Sequence, residues 1–147
     1  MGEIIGLMIL EDLFPAILRE KIKKGEFVFP VDTEDTYEPI TGYRCYYRND
    51  GDDTAPGRDD FRSHAELGRV LRGNGRSKPE YYGTSLFTSR GELNNIQSLN
   101  KPDKRVAVGC IFQEGGPIKR NKSRGHVCWW LYEDVDLSSF EEVKDDE

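Results

Sequence analysis

Residues 80–100 read Glu-Tyr-Tyr-Gly-Thr-Ser-Leu-Phe-Thr-Ser-Arg-Gly-Glu-Leu-Asn-Asn-Ile-Gln-Ser-Leu-Asn. Aromatic and hydroxyl residues open the stretch as a strand, and a written helix start follows. Ser89-Arg90-Gly91-Glu92 fits the S-x-x-E capping box, in which the Ser89 hydroxyl accepts from the Glu92 amide and the Glu92 side chain reaches back. Behind that cap Leu93, Ile96 and Asn100 fall on one face at helical spacing, with Leu99 beside them. Thr84, Ser85, Thr88 and Ser89 therefore cluster where a strand hands over to a helix N-terminus, a place with free amides for an anion.

Upstream, residues 12–24 read as a helix capped by Asp12, with Phe14, Ile17, Leu18 and Ile22 as its apolar face and Gly25 as its stop. Phe27-Val28-Phe29 reads as a short strand closed by Pro30. Ile40 to Arg48 is a second strand, whose alternation sets Tyr43, Cys45 and Tyr47 against Arg44, Tyr46 and Arg48. A turn-rich acidic loop at 49–57 lacks the ligand spacing of an EF-hand. Asp59 or Asp60 then caps a helix running to about Arg72, ended by Gly73-Asn74-Gly75.

Downstream, Arg105 to Gln113 is the most apolar run and reads as a central strand. His126 to Tyr132 is the next strand, hairpinned to it. Neighbours on a strand face opposite ways, so Trp129-Trp130 reads as one core ring and one surface ring. Glu114 to Gly125 between them is expected to be a mobile hairpin loop, because glycines and Pro117 bracket a basic segment. Leu137 to Val143 reads as an edge strand, and residues 144–147 as a disordered acidic tail. The expectation is α+β: one domain over 1–143, a mainly antiparallel twisted sheet of five to six strands, and about three helices packed on it.

The composition narrows the function. At 147 residues the chain is long enough for a core, but 33% of it is charged and only 36% hydrophobic. The net charge is −6, and residues 1–73 carry 10 basic against 15 acidic side chains, while 74–147 carry 11 against 12. That balance argues against nucleic-acid binding by the whole domain. Cys45, Cys110 and Cys128 form no C-x-x-C pair and read as free thiols of a reducing compartment. With only His64 and His126 beside them, no metal site has a recognisable ligand spacing. No run reaches a membrane-spanning length, and Glu11-Asp12 follow the apolar N-terminal stretch directly, so a cytoplasmic protein without membrane attachment is expected.

Gly83-Thr84-Ser85-Leu86-Phe87 begins like a nucleophile elbow but has Phe where that motif needs Gly. A different order of elements stands out. An arginine sits in an early aromatic strand (Tyr43-Arg44), followed by the hydroxyl-rich strand 83–89, a helix, an apolar strand and a late acidic position. This order resembles ADP-ribosyltransferases of the arginine–serine–glutamate type. The resemblance implies a mono-ADP-ribosyltransferase using NAD as substrate, with Arg44 on the pyrophosphate and Thr84-Ser85 or Thr88-Ser89 shaping the nicotinamide pocket. Tyr46 and Tyr82 would stack the nicotinamide, and Glu133, with Glu114 as substitute, would stabilise the oxocarbenium-like transition state. The chain departs from the pattern in having no literal S-T-S and no Q-x-E or E-x-E before a final strand. The alternative is a non-enzymatic binding protein, such as an immunity, antitoxin or phage accessory protein, with an acidic first half that meets a basic protein partner. Independently of either, Lys119, Arg120, Lys122 and Arg124 form a candidate site for a phosphate-bearing ligand.

Overall fold

The computed structural model describes residues 10–69 and 78–143. The apolar N-terminus, the end of the expected 59–72 helix and the acidic tail lie outside the described residues. Six antiparallel strands form one sheet: β1 (Ile40–Tyr47), β2 (Thr84–Phe87), β3 (Lys104–Ile111), β4 (Ile118–Asn121), β5 (His126–Trp129) and β6 (Glu141–Glu142). Their order is β4-β5-β2-β1-β3-β6. The α+β class and the antiparallel sheet are as expected. Among the described residues there are two α-helices rather than about three, α1 (Ala16–Lys23) and α2 (Arg90–Asn94).

The helices are shorter than read because local chemistry interrupts each one. Pro15 holds Phe14 extended, so the chain makes a 3-10 turn at Glu11–Leu13 and α1 starts only after the proline. Around residue 60 the expected helix breaks into two turns. Asp60 Oδ2 accepts from the Gly57 amide, closing a 3-10 turn at Arg58–Phe61, and Arg62 is extended. Ser63 and Glu66 then cap a second turn reciprocally, and Gly68 at φ 67° ends it. The α2 cap forms in one direction, with the Glu92 amide donating to Ser89 Oγ at 3.1 Å. Asn94-Asn95 then stops the helix.

Both faces of the sheet are covered. Leu86, Ala107, Val127 and Trp129 pack with Phe61 and Phe140 on one face. On the other, α1 supplies Phe14 and Leu18 over Cys128 and Trp130, and α2 supplies Leu93 over Cys45, Phe87 and Val106. This corrects the reading of the tryptophans: alternation does point them opposite ways, but both directions are core, and Trp129 and Trp130 are 1% and 0% exposed. Phe27–Phe29 is not a strand; its rings join the α1 cluster from a loop.

The 114–125 segment is packed, not a mobile loop. A third of it is β4, which takes the place beside β5 that was read for β3. Glu34 and Ile118 exchange backbone hydrogen bonds at 2.7 and 2.9 Å. The Trp130 amide donates to Pro117 O and the Tyr132 amide to Gly115 O, continuing the pairing into the glycines. Gly116 lies at φ 127°, and a Cβ there would collide with the Trp130 carbonyl oxygen. Gly116→Ala combines backbone strain with a clash against main chain, and is expected to cost more than about 2 kcal/mol in urea unfolding. Gly91→Ala, with open space around its Cβ and a helical backbone, is expected to shift stability by less than about 1 kcal/mol.

Candidate functional site

The strand ladders are unequal. β1 and β3 pair over their full length, from Ile40↔Ile111 to Tyr47↔Lys104, and β2 and β5 pair at four positions. The two central strands β1 and β2 share one partner pair, Tyr43↔Phe87. Beyond it they diverge, and Arg44 fills the opening. Its Nε donates to the Asp60 carbonyl and its Nη1 to the Ser85 carbonyl, both at 2.9 Å. The guanidinium lies 6.0 Å from the centroid of the Phe61 ring.

This arginine is half-buried, and among the described residues no carboxylate makes an ion pair with it. Burial pushes its pKa down to about 10, Arg69 adds to the push, and Cys45 and Asp60 oppose it. It remains charged at neutral pH. A guanidinium has five N–H donors, and two are accounted for here, so the rest are available to an anion.

On the far side of β2, Ser85 is exposed and its Oγ lies 3.0 Å from His126 Nε2, at the start of β5. The imidazole stands edge-on to Phe87 with centroids 5.4 Å apart. The β4–β5 turn sets His126 in place. Gly125 at φ 62° closes that turn, its carbonyl accepts from the Thr88 amide at 2.8 Å, and its Cα faces the side chains of Glu92 and Thr88. Burial lowers the His126 pKa, Arg124 lowers it further, and Glu80 opposes them. His64 is lowered by burial, then by Arg69 and Arg44, and its Nδ1 is buried without a hydrogen-bond partner. Arg44, Ser85 and His126 thus form a line across three strands, with His64, Arg69, Glu80, Glu92 and Arg124 around it.

Of the residues expected from the sequence, Arg44 meets Ser85 at its backbone carbonyl, while the Ser85 hydroxyl turns to the other face of the sheet with His126. Thr84 is buried, donating to the Phe61 carbonyl of the same covering turn that receives the Arg44 guanidinium. Tyr46 is buried too, under the Arg48 guanidinium at 4.9 Å. Neither is presented to a ligand. Tyr82 packs edge-on against Phe27, and Ser89 caps α2. Glu133 and Glu114 do not join the line. Glu133 is held by Arg62 through both carboxylate oxygens at 3.2 Å, and Glu114 lines a separate cavity beside Trp129. The four-cation phosphate site is also reduced, since Arg120 is closed by a two-pronged pair with Glu34 at 2.8 and 2.9 Å and Lys119 reaches Glu80 at 3.3 Å. Lys122 and Arg124 remain at the hairpin tip with no ion pair among the described residues. Sequence reasoning missed His126. A polar residue opening an otherwise apolar strand, just after a glycine turn, is the only trace it leaves. Among the described residues no group of three His, Cys, Asp or Glu is placed to hold a metal ion.

The histidines make a pH prediction. Both folded-state pKa values lie below the ordinary 6.5, so the unfolded chain binds protons more readily. Their contribution to stability is complete above that value and is lost as pH falls through it toward the folded midpoints. NMR titration is expected to place both imidazoles below 6.5, and urea midpoints are expected to fall over the same range. His64→Gln with His126→Gln should flatten that slope. A midpoint above the ordinary value for either histidine in the free protein would contradict the burial described.

No protein-family model, no curated protein and no solved structure matches the chain, and what the line of Arg44, Ser85 and His126 can do is therefore argued from its own chemistry.

Proposed function

We propose that the β1–β2 seam binds NAD and that the chain is an ADP-ribosyltransferase-like enzyme in which His126 occupies the place expected for the catalytic glutamate. One observation carries this reading: a half-buried arginine without a carboxylate partner stands beside a serine hydrogen-bonded to a histidine. Buried cations are ordinarily paired, and the pyrophosphate of a dinucleotide would complete Arg44. Arg69, close enough to act electrostatically on both Arg44 and His64, is a further cation for it.

The chemistry asked of the site is modest. The bond between ribose C1′ and the nicotinamide nitrogen breaks, and its electron pair leaves with nicotinamide. The sugar passes through an oxocarbenium-like state, and an acceptor nucleophile bonds to C1′ while giving up a proton. His126, its pKa lowered by burial, is neutral while the oxocarbenium forms and then takes the acceptor's proton as the new bond to C1′ closes, becoming imidazolium once the sugar's charge is quenched. Ser85 orients the ring. Glu92 and Glu80 supply the negative charge that the transition state favours.

The test is release of nicotinamide from labelled NAD, with folding followed in parallel by circular dichroism. Wild type is expected to turn over, and His126→Gln to lose on the order of 10²-fold or more. Ser85→Ala should lose less, and Glu133→Gln should keep activity. Arg44→Lys is preferred to Arg44→Ala, because truncation would leave two carbonyls across the seam without a donor; it is expected to raise KM for NAD. A wild type that neither binds nor cleaves NAD ends this reading. The alternative, a non-enzymatic protein that binds a protein partner, is favoured by a different feature, the carboxylate-rimmed cavity beside Trp129.

A further inference from the structure

A cavity of about 400 Å³ opens between the end of β3, the 113–115 turn and the segment that follows β5. Its apolar wall is Leu13, Phe112, Trp129, Tyr132 and Val135, three carboxylates, Glu114, Asp134 and Asp136, stand among them, and Cys110 and Gly115 complete the lining. No lysine or arginine lines it, and it shares no residue with the line of Arg44, Ser85 and His126. All three acids are exposed. Asp136 accepts the Ser138 amide, whereas Glu114 and Asp134 have no hydrogen bond or ion pair among the described residues. The Trp129 indole N–H is buried without a partner. The volume falls within the usual range for ligand pockets.

We infer that this cavity is a docking site for a polypeptide partner that inserts an apolar side chain flanked by lysine or arginine. Charge complementarity sets the flanks, because three carboxylates with no cation among them repel an acidic segment and draw a basic one. The surface around the mouth argues for a polypeptide over a free organic cation. Leu10, Leu13 and Phe112 are 56%, 47% and 41% exposed. Leu13 and Phe112 line the cavity, and the Leu10 amide is bonded to the Tyr132 hydroxyl at 3.0 Å, so the apolar surface continues outside the cavity. A lone small cation would leave that surface bare. A chain segment covers it while its anchor fills the pocket, which is how a few buried residues carry most of an interface.

The inference does not rest on NAD binding, and its test leaves the seam intact. The full chain is titrated by calorimetry with a synthetic peptide in which a central phenylalanine has two arginines on either side, and with the same peptide carrying glutamates instead. The arginine peptide is expected to bind at least about tenfold more tightly, with an affinity that falls as salt is raised. Asp134→Asn with Asp136→Asn should remove most of that preference, and Phe112→Ser should weaken binding without changing the unfolding midpoint by more than a surface substitution does. Equal binding of the two peptides, or none, overturns the inference. So does phenylethylammonium binding as tightly as the arginine peptide, which would make the cavity a small-cation site. A dimer of the wild type that dissociates on Phe112→Ser would overturn it as well, by making a second copy the occupant.

Discussion

The sheet holds together across a seam that main-chain pairing barely closes, and Arg44 is what closes it. Two ladders, β4-β5-β2 and β1-β3-β6, meet at the single pair Tyr43↔Phe87. One guanidinium reaches from β1 to the Ser85 carbonyl of β2 and to the Asp60 carbonyl of the covering loop. The arginine supplies across the seam the donors that the missing ladder bonds would have. Charge-assisted bonds are stronger than the neutral bonds they replace. The same cation, held by carbonyls and not by a carboxylate, keeps its charge unneutralised. Structural need and the proposed affinity for an anion therefore fall on one side chain.

Away from the seam, ion pairs fix loops onto the sheet. Arg48 grips both oxygens of Asp60 at 2.7 Å, and that aspartate also accepts the Gly57 amide, so the covering turn is tied to the end of β1. Arg120 grips Glu34 similarly, beside the backbone bridge from Glu34 to Ile118. These are half-buried, two-pronged pairs between distant segments, the kind that contributes more than a lone surface contact. They also redistribute charge: acids of the first half neutralise cations of the strands, and the unpaired carboxylates Glu114 and Asp134 are left together at the cavity.

The two long strands were legible in the sequence because alternation and apolar runs mark them directly, whereas β4 was hidden in the basic segment and Phe27–Phe29 imitated a strand. Ile40–Arg48 and Arg105–Gln113 fall within two residues of β1 and β3. The helices were overread, since periodicity sees apolar spacing but not the competing bonds of Asp60 and Ser63 or the restraint of Pro15 on Phe14. The basic segment misled for a related reason. Its cations look like a solvated loop until Glu34 and Glu80, distant in sequence, are seen to pair with them. At the site, Arg44 and Ser85 were readable from strand context, but Thr84 and Tyr46 were not separable from them without knowing which face is covered. Nothing in the sequence around Glu133 reveals that Arg62 holds it.

His126 illustrates why the last part of a site is hard to read. Its place follows from register: Phe87 pairs with His126 and Ser85 with Cys128, so His126 and Ser85 project on one face, diagonal neighbours two residues apart on adjacent strands. That register is fixed by the turn at Gly125, and the turn by the contact of Gly125 with Thr88 and Glu92 at the start of α2. Gly83 contributes at the other end, since a Cβ there would run into Cys128 Sγ and separate the strands. The capped helix, the glycine turn and the close approach at Gly83 together hold the Ser85–His126 hydrogen bond. The polar line across the sheet is thus set by the same stretch of chain, residues 80–100, that sets the order of its central strands.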